Sequence, residues 1–355
     1  MTSATVGEAE LAGLLQAIEL QRLACAQHGS AVYDDVLAAV ADDVRRRGPC
    51  AAVLAPWARA PYADAIVLRF LAAVHRLVLE GRVPALAEQL PSAGGRPDRR
   101  LAGAFLAAVA DQAEVLAPLM AEGVQTNEVG RSAALLGGFL EVARLGLPLR
   151  VLEPGASAGL NLRFDHYRYE ADGAAFGPAD SALCFVGPWA GAAPGLDTPL
   201  AVAERVGCDL EPIDPTTAAG RVRLRSYVWP DQLDRLARLE AALEVAAAVH
   251  APIERADAAA WLAARLAVAS PGRTTVVAHS IMFQYLSAAG RTAMLGVIDG
   301  AGRQATPDAP LAWLRMEPGG DRAEIRLTTW PGGTTRLLAV SSFHGPPVHW
   351  RPSPG

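Results

Sequence analysis

The chain has 355 residues, of which 51% are hydrophobic and 19% are charged, and its formal net charge is -5. This composition excludes wholesale disorder, and the acidic balance gives no general attraction to nucleic acid or to anionic lipid. All 32 basic residues are arginine, which excludes Schiff-base lysines, lysine-bound pyridoxal phosphate and the P-loop lysine.

The first 147 residues are predicted to form an all-helical N-terminal domain. Apolar residues recur there at helical spacing, as in Leu11, Leu14, Leu15 and Ile18. Clusters of glycine, serine and proline divide this stretch into about six helices. We expect this domain, residues 1–147, to act as a lid over a substrate.

From Pro148 onward, β-branched runs alternate with amphipathic helices, which predicts an α/β domain over residues 148–355. The predicted strands are LRVLE (149–153), CDLEPID (208–214), RVRLRSYV (221–228), TTVVAHS (274–280) and LAWLRM (311–316), with a long helix starting at Asp231. The final runs AEIRLTTW (323–330) and TRLLAVSSF (335–343) are separated by a Pro-Gly-Gly-Thr turn, which predicts an antiparallel hairpin. The expected fold is a Rossmann-like, mostly parallel sheet ending in that hairpin.

Residues 149–170 are predicted to form the first strand, a glycine turn and a helix beginning near Ala158. Gly155 and Gly159 bracket small residues, so the backbone can turn tightly and approach a ligand closely. The alternative is a helix-entry turn whose glycines serve packing. Glu153 ends the strand at the edge where open α/β sheets bind ligands, and it can accept a hydrogen bond from a hydroxyl or ammonium group.

The same turn spells Gly-x-Ser-x-Gly with Ser157 at its centre, which is the nucleophile-elbow pattern of α/β-hydrolases. Asp257 or Asp299, with His344, would supply the rest of a triad in the right chain order. Two features oppose this hypothesis: the upstream residues are predicted to be helical, and Glu153 places negative charge close to the serine.

The strand 274–280 ends in two further candidate site residues, His279 and Ser280. Because histidine as a residue type can exchange protons near neutral pH, His279 is a candidate general base; the alternative is a hydrogen-bonded residue that shapes the pocket. Tyr285 is a second catalytic candidate, and Gln284 beside it is predicted to contact substrate.

The YVWPDQ motif (227–232) and the VQTNEVGR motif (124–131) supply the remaining candidates. Asp231 is predicted to cap a helix, and Trp229 is a candidate cover for a ligand ring. In the second motif Thr126 is a predicted N-cap. Three of its residues are expected to close the pocket over cofactor or substrate: Asn127, Glu128 and Arg131.

The four cysteines are far apart, and no two of them stand at zinc-binding spacing. We expect buried structural thiols and no metal site. The N-terminus lacks the pattern of a signal peptide, and no run of 18 residues is free of polar groups. The expected protein is cytoplasmic, with no membrane partner.

Nearly the whole chain resembles an uncharacterised bacterial family, the domain-of-unknown-function family 2332. The matching stretches are VQTNEVGR, EPGASAGLNLRFDHYRY, YVWPDQ, DAAAWL, AHSIMFQYL and HGPPVHW. At the level of fold, the order of elements is similar to that of class I S-adenosylmethionine-dependent methyltransferases.

The methyltransferase resemblance implies S-adenosylmethionine as the cofactor. It implies these cofactor contacts: Glu153, Gly155, Ser157, Gly159, Asn161, Asp257 and Ser280. The turn would line the amino-acid and ribose parts of the cofactor, and Asp257 would hydrogen-bond the adenine amino group. Ser157 departs from the family, which usually has glycine there.

The methyltransferase resemblance implies methyl transfer as the function. A small-molecule acceptor is expected rather than nucleic acid, because the acidic chain shows no basic arm. Two alternatives stay open at this stage. One is a serine hydrolase that uses Ser157, and the other is a non-catalytic protein that binds a nucleoside. The sequence does not indicate the oligomeric state.

Overall fold

The computed structural model describes residues 7–62 and 65–351. It divides into two compact units. The first unit comprises the described residues up to 126 together with 217–237, and the second comprises 127–216 and the residues from 238 onward. This division differs from the predicted boundary after residue 147 in two segments, 127–147 and 217–237.

The α-helices of the described residues are α1 (Glu8–Gln27), α2 (Ala31–Arg45), α3 (Pro49–Leu54), α4 (Ile66–Leu79), α5 (Pro84–Ala87), α6 (Leu101–Asp111), α7 (Ala113–Ala121), α8 (Arg131–Ala143), α9 (Ala218–Ser226), α10 (Leu233–Ala248), α11 (Ala258–Leu266) and α12 (Ala288–Gln304). The strands are β1 (Leu149–Pro154), β2 (Arg168–Ala171), β3 (Ala174–Phe176), β4 (Cys184–Val186), β5 (Val202–Asp209), β6 (Ile253–Arg255), β7 (Thr274–Ser280), β8 (Leu311–Pro318), β9 (Ala323–Trp330), β10 (Thr334–Ser342) and β11 (Gly345–Trp350).

The first unit contains α1 to α7 and α9, and no strand occurs among its described residues. The apolar spacing of α4 shows why: Ile66, Phe70, Val74 and Leu77 recur on one face of the helix and are almost completely buried. They belong to one continuous core with residues of α1, α2, α3 and α6. The helical periodicity of the sequence is therefore confirmed here.

Asp231 caps a helix, but not the one that the sequence predicted. Its carboxylate accepts hydrogen bonds from the Ser30 hydroxyl at 2.7 Å and from the Val32 amide at 3.1 Å, at the start of α2. The helix after Asp231, α10, begins at Leu233. A distant segment of chain therefore satisfies the free N–H groups at the start of α2.

The second unit is built on an eight-stranded sheet in the order β11-β10-β9-β8-β7-β1-β5-β6. The strands β8, β7, β1, β5 and β6 are parallel to one another, and β9, β10 and β11 continue the sheet in antiparallel fashion. The mixed α/β class, the mostly parallel sheet and the β9–β10 hairpin are confirmed.

Two predicted strands are corrected. In the run 208–214 only the first two residues are in a strand, because β5 begins earlier, at Val202. The run 221–228 lies largely in helix α9, whose N-cap Thr217 accepts a hydrogen bond from the Gly220 amide. Its alternating Arg and apolar residues suggested a strand. Leu224 is nevertheless fully buried in this helix, which also carries three arginines, a residue type that favours helices.

The helix predicted to follow the glycine turn is also corrected. The structure has a short 3-10 helix at Asn161–His166 and then a three-stranded sheet in the order β3-β2-β4. Tyr167 and Tyr169 alternate inward and are fully buried, and an Asp-Gly turn at 172–173 joins β2 to β3. These are hairpin signals that the helical prediction missed.

Helix α8 packs on the sheet of the second unit, which is why segment 127–147 belongs to that unit. A side chain added at Gly137 would lie 2.3 Å from the Trp350 ring, and one at Gly138 would lie 2.3 Å from Leu314. The two glycines therefore let α8 approach β11 and β8 closely. Phe139 stacks on Phe164 with ring centroids 3.8 Å apart.

Cys25, Cys50 and Cys208 are buried free thiols as expected, whereas Cys184 is exposed on β4. Among the described residues, no single helix has both the length and the apolar content needed to cross a lipid bilayer.

Candidate functional site

The candidate site lies at the carboxyl edge of the parallel strands in the second unit. The chain runs from β1 to β5 and β6 on one side and then returns to β7 and β8 on the other. Such a reversal of strand order leaves a crevice in which open α/β sheets bind ligands. Acidic residues lie at the ends of four of these strands: Glu153, Asp209, Asp257 and Glu317.

The glycine turn follows β1 at this reversal. Gly155 and Gly159 have φ angles of 70° and 66°, so both need glycine. A Cβ on Gly155 would lie 3.1 Å from Cβ of Met282, and one on Gly159 would lie 2.6 Å from Cδ1 of Ile253. The space beside these glycines is therefore filled by the protein's own side chains. This supports the packing alternative over close approach of a ligand at these two Cα atoms.

Glu153 is buried at the end of β1, with only 5% of its surface exposed. Its Oε2 atom has no hydrogen-bond partner in the described structure. Burial raises the pKa of this carboxyl to about 8; nearby Arg163 and Arg131 oppose the shift and Asp209 adds to it. A buried acid whose oxygen lacks a donor is what a site for a polar or cationic ligand requires.

Asp209 holds the centre of the glycine turn, and sequence reasoning missed it. Its Oδ2 accepts the Ser157 amide at 2.9 Å, and its Oδ1 accepts the Glu211 amide at 2.9 Å. Ser157 has a φ of 56°, which is unusual for a residue other than glycine. Asp209 is the last residue of β5. Correct placement of β5 from the sequence would have shown an acidic residue at a strand end, which is the signal that identifies it.

Asp257 is the N-cap of α11. Its Oδ1 accepts the amides of Ala259 and Ala260, both at 3.0 Å, and the residue is exposed. Its Oδ2 has no hydrogen bond within the described residues. One oxygen thus serves the helix, and the other faces outward at the end of β6.

The two asparagines tie α8 to the segment after the glycine turn. Oδ1 of Asn127 accepts the Leu160 amide at 3.2 Å. Oδ1 of Asn161 accepts the Ser132 hydroxyl at 2.6 Å, and Nδ2 of Asn161 donates to the Glu128 carbonyl at 3.3 Å. Asn161 is buried, so the structure places both asparagines as braces of the turn.

Helix α8 begins at Arg131, and its N-cap is Gly130, which corrects the predicted cap at Thr126. Oε1 of Glu128 accepts the Gly130 amide at 3.0 Å. Nε of Arg131 donates to the Phe343 carbonyl at 3.0 Å, and its NH1 approaches the Ser280 carbonyl at 3.5 Å. Arg131 thus connects the ends of β7 and β10. Its positive charge also opposes part of the rise in the pKa of Glu153 on β1.

His279 does not fit the role of general base. It is completely buried; its Nδ1 lies 2.8 Å from Oε1 of Glu317, and Trp313 donates its indole N–H to its Nε2 at 2.9 Å. Since an indole nitrogen only donates, Nε2 is the unprotonated nitrogen and Nδ1 carries the hydrogen. Both nitrogens are occupied by protein groups, which corrects the first hypothesis and agrees with the pocket-shaping alternative.

Tyr285 and Gln284 lie on the surface in the 3-10 helix Phe283–Tyr285, and Tyr285 is 46% exposed. The structure does not bring them together with the buried acids. Trp229 lies in the core of the first unit against Tyr33, so its ring serves helix packing, which corrects the expected ligand contact.

The residues proposed for a hydrolase triad are dispersed. Asp257 follows β6 and His344 follows β10, six strand positions away in the sheet, or about 29 Å at the usual strand spacing. Asp299 is exposed on α12, which follows β7.

A family model described as "Uncharacterized protein conserved in bacteria (DUF2332)" matches residues 16–350. The chain belongs to this family. The DUF2332 match covers both units, including the glycine turn and every acidic strand end described above. No curated protein and no solved structure matches this DUF2332 chain.

Proposed function

We propose that the second unit binds S-adenosylmethionine at the carboxyl edge of its parallel strands and that the protein is a methyltransferase acting on a small molecule. Glu153 is the observation that carries this proposal: a buried acid with an unpartnered oxygen, at the point where the strand order reverses. S-adenosylmethionine, when bound, supplies an activated methyl group on its sulfonium and an ammonium group at its amino-acid end.

The arrangement of the strand ends supports a nucleoside ligand. The order β6-β5-β1-β7-β8 is the 3-2-1-4-5 order of Rossmann-like sheets. Acids end β1, β5 and β6 in succession, so a ligand lying across these ends would meet one acceptor after another. In this proposal Glu153 accepts a hydrogen bond from the ligand's ammonium group, and Oδ2 of Asp257 accepts one from the amino group of the base. Asp209 holds the glycine turn in place between them.

The protein's contribution to methyl transfer is then mainly the alignment of two bound molecules. With His279 held by Glu317 and Trp313, the proposal assigns it no proton transfer. Correct placement of two reactants by itself supplies roughly 7–11 kcal/mol of rate acceleration in favourable cases.

Isothermal titration of the full chain with S-adenosylmethionine and S-adenosylhomocysteine tests the proposal. We expect both to bind and Glu153→Gln to weaken binding at least about tenfold, because a hydrogen bond to a charged group is lost. Glu170→Gln is the matched control, since its side chain is 46% exposed on β2 and pairs with Arg168.

Failure of both compounds to bind at millimolar concentration would refute the proposal. Binding without methyl transfer to any acceptor would instead indicate a non-catalytic nucleoside-binding protein.

A serine hydrolase is the second candidate function, because Ser157 combines the Gly-x-Ser-x-Gly pattern with a left-handed backbone. A nucleophile elbow holds its serine in that strained way. Fluorophosphonate labelling tests it: a stable adduct on Ser157, absent in Ser157→Gly, would favour the hydrolase. An unlabelled wild-type protein would exclude it.

A further inference from the structure

Glu317 lies near the carboxyl end of β8, and no sequence pattern singled it out. Its Oε1 accepts three hydrogen bonds: from Nδ1 of His279 at 2.8 Å, from the Met282 amide at 3.0 Å and from the Phe283 amide at 3.4 Å. Its Oε2 is buried and has no hydrogen-bond partner in the described structure. One oxygen holds the segment that follows β7, and the other has no donor.

The negative charge of this carboxylate is not balanced by an ion pair with a charged side chain among residues 7–62 and 65–351. His279 is neutral, since its Nε2 accepts the Trp313 indole N–H. Arg315 is within electrostatic reach, but its guanidinium lies 3.8 Å above the Trp313 ring and donates to the Thr328 hydroxyl at 3.0 Å. A buried carboxylate without a direct ion pair is less favourable than one that a bound cation contacts.

Aromatic rings cluster beside the same carboxylate. The ring centroids of His279 and Phe283 are 4.7 Å apart, and both lie about 6 Å from Trp313, at 6.0 and 6.1 Å. A carboxylate oxygen accepts N–H groups of a protonated amine, and the face of the Phe283 ring attracts the same cation. The two features together point to one class of ligand.

We propose that Oε2 of Glu317 binds the protonated amino group of a small-molecule substrate and accepts one of its protons, so that the methyl acceptor is an amine. The freed nitrogen lone pair forms the new N–CH3 bond as the S–CH3 bond of S-adenosylmethionine breaks and S-adenosylhomocysteine leaves. The identification of this amine as an acceptor rests on the proposed function. An alcohol would bring one neutral hydrogen bond and leave the charge unbalanced, and a carboxylic acid would be repelled. Glu317 is therefore a specificity-determining residue, positioned on the strand next to β7.

Glu317→Gln is the decisive variant. The amide keeps one carbonyl oxygen for His279, Met282 and Phe283, so the segment after β7 retains its hydrogen bonds. It replaces Oε2 by an NH2 group, which removes the charge and turns the acceptor into a donor. Glu170→Gln makes the same chemical change at a half-exposed position and serves as the control.

Saturation-transfer NMR on the full chain with matched pairs of small probes tests the proposal. Suitable pairs are benzylamine with benzyl alcohol, and 1,4-diaminobutane with 1,4-butanediol. We expect the wild type and Glu170→Gln to transfer saturation to the amines and not to the alcohols. We expect Glu317→Gln to weaken amine binding at least about tenfold, as loss of a charge-assisted hydrogen bond does.

Three outcomes would overturn the proposal: equal binding of amines and alcohols by the wild type, an unchanged amine preference in Glu317→Gln, or no binding of any probe at millimolar concentration. Titration of the same samples with S-adenosylhomocysteine separates the two proposals. If that compound binds and the amine preference is absent, only the inference about Glu317 fails. If the amine preference depends on Glu317 and that compound does not bind, the proposed methyltransferase function fails instead.

Discussion

Trp313 donates its indole N–H to Nε2 of His279 at 2.9 Å across the neighbouring strands β8 and β7. The contact fixes which nitrogen of the histidine carries its hydrogen and directs Nδ1 to the carboxylate of Glu317. A residue that looked like a proton carrier in the sequence is therefore a buried connector between two strands of the candidate site.

Trp313→Phe is expected to destabilise the protein more than Trp189→Phe. Both tryptophans are 7% exposed, but the Trp189 indole N–H has no hydrogen-bond partner in the described structure. Trp313→Phe removes an indole N–H that donates a hydrogen bond to His279, whereas Trp189→Phe removes an indole N–H that has no hydrogen-bond partner among the described residues. We expect a difference in the free energy of unfolding of about 1–3 kcal/mol, measured by urea denaturation. Equal losses would show that the bond to His279 adds nothing to stability.

Glu153 is expected to make stability depend on pH. Its pKa rises from an ordinary 4.5 to about 8 on folding, so the folded state keeps a proton that the unfolded state releases. Protonation of Glu153 therefore adds to the free energy of unfolding below pH 4.5, and this contribution is lost as the pH rises to about 8. For a shift of this size the loss is at most about 5 kcal/mol.

Urea unfolding at pH 5 and pH 8.5 tests this dependence in the wild type and in Glu153→Gln, whose amide does not titrate. We expect the wild type to lose several kcal/mol relative to the variant at the higher pH. Parallel behaviour of the two proteins would mean that Glu153 is ionised throughout this range.

Gly155→Ala is expected to be more harmful than Gly272→Ala. Both glycines have positive φ angles, 70° and 74°, so both variants carry backbone strain of about 1–2 kcal/mol. A Cβ at Gly272 meets no atom within 4 Å, whereas one at Gly155 lies 3.1 Å from Met282. The excess loss at Gly155, measured by thermal or urea unfolding, reports this contact. Adding Met282→Gly, which removes the contacting Cβ, should remove most of the excess when Gly155→Ala is compared in that background with Met282→Gly alone.

Asp257→Ser separates the helix cap from the proposed ligand contact. Serine is a good N-cap, so the amides of Ala259 and Ala260 keep an acceptor and stability should change by less than about 0.5 kcal/mol. The second carboxylate oxygen is lost, and we expect binding of S-adenosylhomocysteine to weaken by about tenfold, measured by titration. Unchanged binding would restrict Asp257 to its role as a cap.

The sequence by itself determined the features that depend on neighbouring residues. The strand TTVVAHS was predicted over the residues that form β7, and the Pro-Gly-Gly-Thr turn was correctly predicted to join β9 to β10. Helical spacing from Glu8 to about Leu147 and the tight turn after Glu153 were equally visible in the sequence. Periodicity and turn chemistry are local, so a single sequence displays them.

Only the tertiary structure decided which groups meet. Residues 221–228 alternate like a strand, yet most of them lie in helix α9, in which Leu224 is fully buried. Asp231 caps a helix 199 residues earlier in the chain, and Glu317 reaches a histidine 38 residues away. Burial leaves Oε2 of Glu153 without a hydrogen-bond donor, and side chains of the neighbouring strand β8 hydrogen-bond to both nitrogens of His279. Hydrogen-bond partners and desolvation come from distant segments, and they alone determine which side chains are available for chemistry.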